Sequence, residues 1–266
     1  MPQAQMTKQG YVPREKPKYF RDRDIGVEFQ PDVYVDAARV ARALGAQRII
    51  DIGCGHGRKL AALHPEFELL GLDYGPNIEQ CRARYSFGRW LEVDLTRTDR
   101  LPVDDADLNS SVLVCSDVIE HLVDEQAVLR QIRSAMEKAE AILLSTPERD
   151  ATWSEAHNGP PPNRAHVREW TIRELSALLR RAGLEHGSVG LTRTHDQTLR
   201  PHTILAAYCR LPEQLSILED ALIDRPNVPG SLLHRVRETP KGALMGAAMN
   251  LRRAVRASSA RRAQQA

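Results

Sequence analysis

From Pro31 to Leu44 the apolar positions Val33, Val35, Ala37, Ala38, Val40, Ala41 and Leu44 recur at helical spacing, and Gly45 supplies a stop. After it the chain changes to short apolar runs separated by helix-like stretches. RIIDI (48–52) precedes a helical segment near 57–64, and ELLGLD (68–73) precedes a helix from Pro76 to about Arg84. RWLEV (89–93) leads through a loop to SVLVCSD (111–117), a helix over 124–138 and AILLST (141–146). A Pro/Asn-rich loop (147–163) follows, then a helix from Thr171 to Ala182 that stops at Gly183. Two further strands fall near 185–193 and 203–209. The runs are β-branched and do not alternate with polar residues, as strands covered on both faces require. Seven of them interleaved with helices predict an α/β fold, a doubly wound and mostly parallel sheet with helices on both faces.

The flanks differ from this body. Residues 1–24 are polar and rich in Pro, Lys and Arg, which suits a basic N-terminal arm. Residues 211–266 show no clear strand, suggest helices broken by Pro226, Pro229 and Pro240, and end in the basic NLRRAVRASSARRAQQA. The expected organisation is therefore an arm (1–24), a domain (25–210) and a helical, basic extension (211–266). A formal charge of +2 hides the division. Residues 1–24 carry six Lys/Arg against three Asp/Glu, residues 235–266 eight against one, and residues 25–234 a net −8. A solvated tail, an amphipathic surface helix and contact with an anionic partner or membrane surface all fit the basic end.

No run approaches 18 apolar residues and the N-terminus lacks the apolar segment of a secretory signal. Cys54, Cys81, Cys115 and Cys209 are isolated, and two of them lie in strand-like runs. Reduced core thiols in a cytoplasmic protein are the expectation.

The first strand runs directly into a glycine loop, IIDIGCGHG (49–57), containing Asp51, Gly53, Gly55 and Gly57. Glycines at such a turn let the backbone approach a ligand and present N–H groups at a helix start. The spacing is GxGxG, not the GxGxxG of nicotinamide-dinucleotide binders. Asp73 ends the next strand, where a carboxylate can accept from two ribose hydroxyls. Together DIGCGHG, GLDYG and the acidic EVD (92–94) resemble the class I S-adenosylmethionine-dependent methyltransferases over about residues 45–210. The resemblance implies a seven-stranded Rossmann-like methyltransferase sheet and S-adenosyl-L-methionine as cofactor. It implies Gly53, Gly55 and Gly57 on the carboxypropyl and ribose side, Asp73 at the ribose, Asp94 near the adenine amino group and Ser116 beside the methionine moiety. Asp51, Tyr74 and Leu95 complete the expected cofactor-binding set.

Asp117, Glu120 and His121 follow the fourth strand in SDVIEHL (116–122), at the carboxyl edge where ligands bind in such sheets. If a helical turn begins there, positions i, i+3 and i+4 share one face. Two carboxylates and an imidazole suit a hard dication, Mg²⁺ or Mn²⁺, and equally suit a cofactor contact or a helix cap. NRAHVREWT (163–171), after the fifth strand, should reach the same edge. The two segments are similar to small-RNA 3′-terminal 2′-O-methyltransferases, where an acidic-x-x-Glu-His cluster and a His shortly before Glu-Trp-Thr hold magnesium. Polyprenyl-quinone O-methyltransferases share the first three positions. This likeness implies Asp117, Glu120, His121 and His166 as metal ligands, Asp117 being one methylene shorter than the Glu usual there. His121 or His166, when not a ligand, and His157 in HNGPPPN are the candidate general bases.

The stretch STPERD…HNGPPPNRAHVREW resembles bacterial methyltransferases of glycan and glycosyltransferase pathways. Aromatics at 5% and an acidic body weigh against an RNA-binding surface, which stacks bases and follows phosphates. The expected activity is metal-assisted O-methylation of a sugar or oligosaccharide hydroxyl. An RNA 3′-terminal ribose, a quinone-like phenol and a non-enzymatic cofactor-binding scaffold are the alternatives.

Overall fold

A computed structural model describes residues 8–18, 28–198 and 200–223. The Pro226, Pro229 and Pro240 breaks, the basic C-terminal segment and the remainder of the N-terminal arm lie outside the described residues. Seven strands form one sheet: β1 (Arg48–Ile52), β2 (Glu68–Asp73), β3 (Arg89–Glu92), β4 (Ser111–Ser116), β5 (Ala141–Pro147), β6 (Gly187–Thr192) and β7 (Thr203–Cys209). Their order is β3-β2-β1-β4-β5-β7-β6. The first five are parallel, and β7 runs antiparallel to both β5 and β6. Between β1 and β4 the winding reverses, which opens a crevice at the carboxyl ends of those strands.

Alternate residues of each strand feed two cores. Ile49, Val112, Val114 and Leu143 pack with α1 (Pro31–Leu44), α2 (Arg58–Ala61) and α3 (Pro76–Arg84). Ile50, Leu113, Cys115 and Leu144 pack under α4 (Asp105–Leu108), α5 (Glu125–Ala135) and α7 (Ile172–Arg181). The expected two-faced, doubly wound sheet is thus the observed one. Helix α8 (Leu215–Ile223) lies in the stretch expected as a separate extension, yet its Leu218 and Leu222 are buried in the α1 core.

Helix α2 is shorter than the expected 57–64. Gly57 enters it in a left-handed conformation, and Pro65 restricts the residue before it to extended backbone. The expected loop 147–163 contains α6 (Arg149–Trp153), whose first turn is capped by the Glu148 carboxylate accepting from Ala151 N–H at 2.6 Å. Five residues are too few to show a helical period. Helix α7 begins where the sequence places it, at Thr171, through a reciprocal cap with Glu174. Glu174 also takes both arms of Arg149, a guanidinium only 1% exposed. All four cysteines are buried free thiols. Among the described residues no helix is long and apolar enough to cross a membrane.

Candidate active site at the sheet edge

Gly53, Gly55 and Gly57 have φ of 80°, 57° and 71°, the left-handed region that glycine enters without strain. A Cβ on Gly53 would stand 2.4 Å from Val118 Cγ2, and one on Gly57 2.8 Å from the Trp90 ring. At Gly55 nothing lies within 4 Å of the Cβ position, so this peptide faces open space. Its N–H donates to Asp73 Oδ2 at 2.7 Å, while Asp73 Oδ1 accepts from Tyr74 N–H (2.7 Å) and Asn77 Nδ2 (3.1 Å). A carboxylate has about four acceptor positions. Three are used, and one is open to a further donor. Burial pushes its pKa up against these hydrogen bonds.

Asp51 is fully buried at the end of β1. Its Oδ2 accepts from the Tyr34 hydroxyl at 2.8 Å, and Oδ1 has no hydrogen-bond partner. Burial raises its pKa to about 7, although the Tyr34 bond and the charge of Lys59 both pull it down. Asp94 Oδ1 accepts from the N–H and hydroxyl of Thr96 at 3.0 and 2.6 Å, and Oδ2 lies 3.2 Å from Arg97. The Thr96 hydroxyl bond holds Asp94 below the ordinary carboxylate range. Leu95 is buried, with its carbonyl accepting from Gln131 at 2.9 Å, and Tyr74 is exposed.

Gln30, buried at the start of α1 with φ 51°, joins the ends of β4 and β5. Its amide oxygen accepts from the hydroxyls of Ser116 (3.1 Å) and Ser145, and its amide nitrogen donates to Asp117 Oδ1. Asp117 itself is left-handed, φ 56°. The helical turn, of 3-10 type, covers only Ile119–His121. Asp117 is therefore outside the turn and does not share a helical face with Glu120 and His121. That is a correction to the expected i, i+3, i+4 arrangement.

Glu120, His121 and His166 do converge, with one potential ligand atom from each within 4.8 Å of the others. The histidine rings meet edge to face, centroids 4.8 Å apart. His121 Nδ1 donates to Ala165 O at 3.1 Å and His166 Nδ1 to Glu169 Oε1 at 2.6 Å. Each ring thus keeps its proton on Nδ1 and its lone pair on Nε2, the arrangement that outer partners impose on metal-binding histidines. The exposed Asn163 donates to His166 Nε2 at 2.9 Å and would have to yield to a cation. Burial, then the neighbouring His166, holds the pKa of His121 below the usual imidazole value.

Glu120 is fully buried and neither carboxylate oxygen has a hydrogen bond of good geometry. Burial, then the adjacent Asp117 charge, pushes its pKa well above the usual range. An unpaired buried carboxylate is costly, so the donor set itself calls for a positive partner. His157 lies apart, its Nε2 3.1 Å from Pro160 O.

Several members of this site escape sequence reading. Gln30, Ser145 and Tyr34 come from elements distant in the chain and carry no motif. Trp153 had no signal either, and Glu169 had one in part. Glu169 stands three residues after His166, and the Trp153 indole N–H donates to Glu169 Oε2.

The profile of the methyltransferase-domain family matches residues 14–188. A protein of Mycolicibacterium smegmatis named a probable S-adenosylmethionine-dependent methyltransferase is 31% identical over 151 residues, 55% of each chain. Another of that name from Mycobacterium tuberculosis is 30% identical over 148 residues, covering 54% of this chain and 51% of its own. The chain spans about half the length of the curated relatives it matches. Among solved structures, the methyltransferase in complex with the Haloferax volcanii Trm112 activator is 17% identical, with a TM-score of 0.50. That alignment covers 67% of this chain and 91% of that one, a likeness of fold. With residues 14–188 matched and this strand order, the chain belongs to the methyltransferase-domain family and has the class I S-adenosylmethionine-dependent methyltransferase fold.

Proposed function

We propose that the protein is an S-adenosylmethionine-dependent O-methyltransferase that uses a divalent cation to methylate a hydroxyl of a sugar or oligosaccharide. The observation that carries the metal reading is Glu120, a buried carboxylate without a hydrogen-bond partner beside two imidazoles whose Nδ1 atoms are already engaged. Glu120, His121 and His166 would hold the ion, with Asp117 alongside on Gln30. A bound Mg²⁺ or Mn²⁺ lowers the pKa of a coordinated hydroxyl and fixes its oxygen.

The glycine loop fits the cofactor, because only at Gly55 is the Cβ direction open and its N–H is already turned onto Asp73. S-adenosyl-L-methionine, when bound, supplies a methyl group on a sulfonium leaving group. The protein's own task is alignment and deprotonation. With both histidines engaged as ligands, the Asp117 carboxylate beside Glu120 would take the proton. In a metal-free alternative, the Nε2 lone pair of His121 or His166 takes the proton. Trp153, 37% exposed and tethered through its N–H to Glu169, offers an aromatic face near His166 suited to the C–H face of a sugar ring.

The test is methyl transfer from labelled cofactor to a panel of mono- and oligosaccharides and to an RNA 3′ end, before and after chelation. Sugar methylation that chelation removes and Mn²⁺ restores is expected. Full activity after chelation rejects the metal, and transfer to RNA alone rejects the sugar.

Gly55→Ala separates cofactor approach from folding. The left-handed backbone costs a non-glycine residue about 1–2 kcal/mol, and no atom clashes with the added methyl. A modest drop in melting temperature is expected, with cofactor binding weakened by an order of magnitude or more (about 10-fold) because the methyl fills the approach to the loop. Calorimetry with the cofactor product checks this, and unchanged affinity would remove the loop from the site.

A further inference from the structure

Residues 8–18 lie across the loop that delivers His166, and we propose that this strap is part of the active site, with Arg14 and Tyr11 acting as positioning residues for His166. The inference rests on the metal-assisted reading above and extends it to a segment that no cofactor or metal motif includes.

The loop from 154 to 171 needs such a partner. It has no helix or strand of its own apart from a bridge at Trp170, and Pro160, Pro161 and Pro162 offer no N–H for pairing. A loop without its own ladder must have its backbone groups satisfied from outside. The strap does this at three points. Val12 N–H donates to Asn158 O at 2.9 Å, Arg14 N–H to Val167 O at 2.6 Å and Lys18 N–H to Arg164 O at 2.9 Å.

Two strap side chains then fix the neighbourhood of the imidazole itself. The Arg14 guanidinium donates to His166 O at 3.2 Å and also to Pro161 O, spanning the loop from one side to the other. The Tyr11 hydroxyl accepts from Glu169 N–H at 3.0 Å, and its ring lies 4.5 Å beneath the Arg149 guanidinium. Glu169 is the residue whose carboxylate holds His166 Nδ1. Arg14 therefore sets where the His166 backbone sits, and Tyr11 sets where the group that orients its ring sits. Lys8 closes the strap's near end, its N–H on Glu174 Oε1 at 2.8 Å and its ammonium on His157 O at 3.3 Å.

A ligand must be held within about 0.5 Å to bind a cation well. His166 stands on a loop rather than on a strand or helix, so it is the member of the cluster most sensitive to its supports. Glu120 and His121 depend on it less, because their backbone follows β4 directly and they meet the loop only at Val167 N–H on Glu120 O and at Ala165 O on the His121 ring. Loss of the Arg14 contacts would thus weaken the metal site while leaving the cofactor loop as it is, since the strap's hydrogen bonds described above run to residues 157–174 and not to 53–57.

The experiment uses the full chain and its Arg14→Ala, Arg14→Lys and Tyr11→Phe forms, with Mn²⁺ as the probe. Mn²⁺ affinity is read by electron paramagnetic resonance, cofactor-product affinity by calorimetry, and metal-free melting temperature by calorimetric scanning. Arg14→Ala should bind Mn²⁺ about 10-fold more weakly, with cofactor-product affinity unchanged. Arg14→Lys should restore only part of the loss, since one ammonium cannot bridge two carbonyls as a guanidinium does. Tyr11→Phe should show a smaller loss of the same kind. Wild-type Mn²⁺ affinity in Arg14→Ala, or an equal loss of cofactor product in all three variants, overturns the strap's role. Absence of Mn²⁺ binding by the wild type instead overturns the metal-assisted reading beneath it.

Discussion

Glu120→Gln is expected to abolish metal-dependent stabilisation and to lower methyl transfer by about a hundredfold or more, while the metal-free protein melts no lower than the wild type. The two halves of this result come from the same feature. Glu120 is fully buried with no hydrogen bond to either oxygen, and Asp117 beside it adds repulsion. A neutral amide of the same volume removes that repulsion, and its N–H groups can donate to the adjacent Asp117 carboxylate, so folding loses nothing when no ion is present. The amide is also a poor ligand for a hard dication, so the site loses its one enclosed anionic donor. At a Mn²⁺ concentration of about 100 Kd the wild type should gain about 2.7 kcal/mol. For a chain of this size that is about 5–11 °C in melting temperature. Because burial and Asp117 raise the pKa of Glu120, metal binding displaces its proton. The Mn²⁺-dependent rise should therefore grow as pH increases. Melting with and without Mn²⁺ checks both parts. A Glu120→Gln protein that keeps the Mn²⁺ response, or that melts far lower without metal, would make Glu120 a structural carboxylate.

The sheet was legible because its strands are bounded on both faces by helices. Runs such as RIIDI and SVLVCSD have no polar alternation, and strands buried on both faces belong to sheets covered by helices on both sides. The glycine loop was legible for a similar local reason, since backbone conformation within a few residues dictates glycine. What escaped depends on contacts across the chain. Nothing near Gln30 announces that its amide will reach Ser116, Ser145 and Asp117, which lie some 86 to 115 positions away. The same contact explains why Asp117 departs from helical spacing. Helical spacing predicts a shared face with Glu120 and His121, whereas a left-handed backbone at Asp117 turns its carboxylate to Gln30. His166 could be placed at the carboxyl edge from its position after β5. Its strap could not, because residues 8–18 hold the loop largely through backbone groups, and backbone pairing leaves little mark on sequence.

Asp51→Asn is expected to reverse the order of stability between acid and alkaline pH, and to weaken cofactor binding. Asp51 is fully buried, with an ordinary pKa of 3.8 raised to about 7 in the folded protein. A folded value above the unfolded one means that the folded state holds the proton more tightly. The group's contribution is thus complete below about pH 4 and is lost as pH rises through 7, a change of about 4 kcal/mol. Asparagine carries no charge at any of these pH values. Its oxygen still accepts from Tyr34, but its amide hydrogens take the place of an oxygen that has no partner, at a cost of about 1–3 kcal/mol. Below about pH 4 the variant should be less stable than the wild type by that cost. At pH 8, where the wild type holds a buried charge, the variant should be more stable by about 1–3 kcal/mol. Denaturant melts at the two pH values decide this, and parallel pH profiles would remove Asp51 as the source. The expected effect on cofactor binding comes from the unpartnered Oδ1, since a cationic group of the ligand would stabilise the ionised form. Wild-type affinity for S-adenosyl-L-methionine should then rise with pH through about 7, while Asp51→Asn binds more weakly with no such rise. Equal and flat affinities would assign the carboxylate to the fold alone, leaving its cost at neutral pH without a functional return.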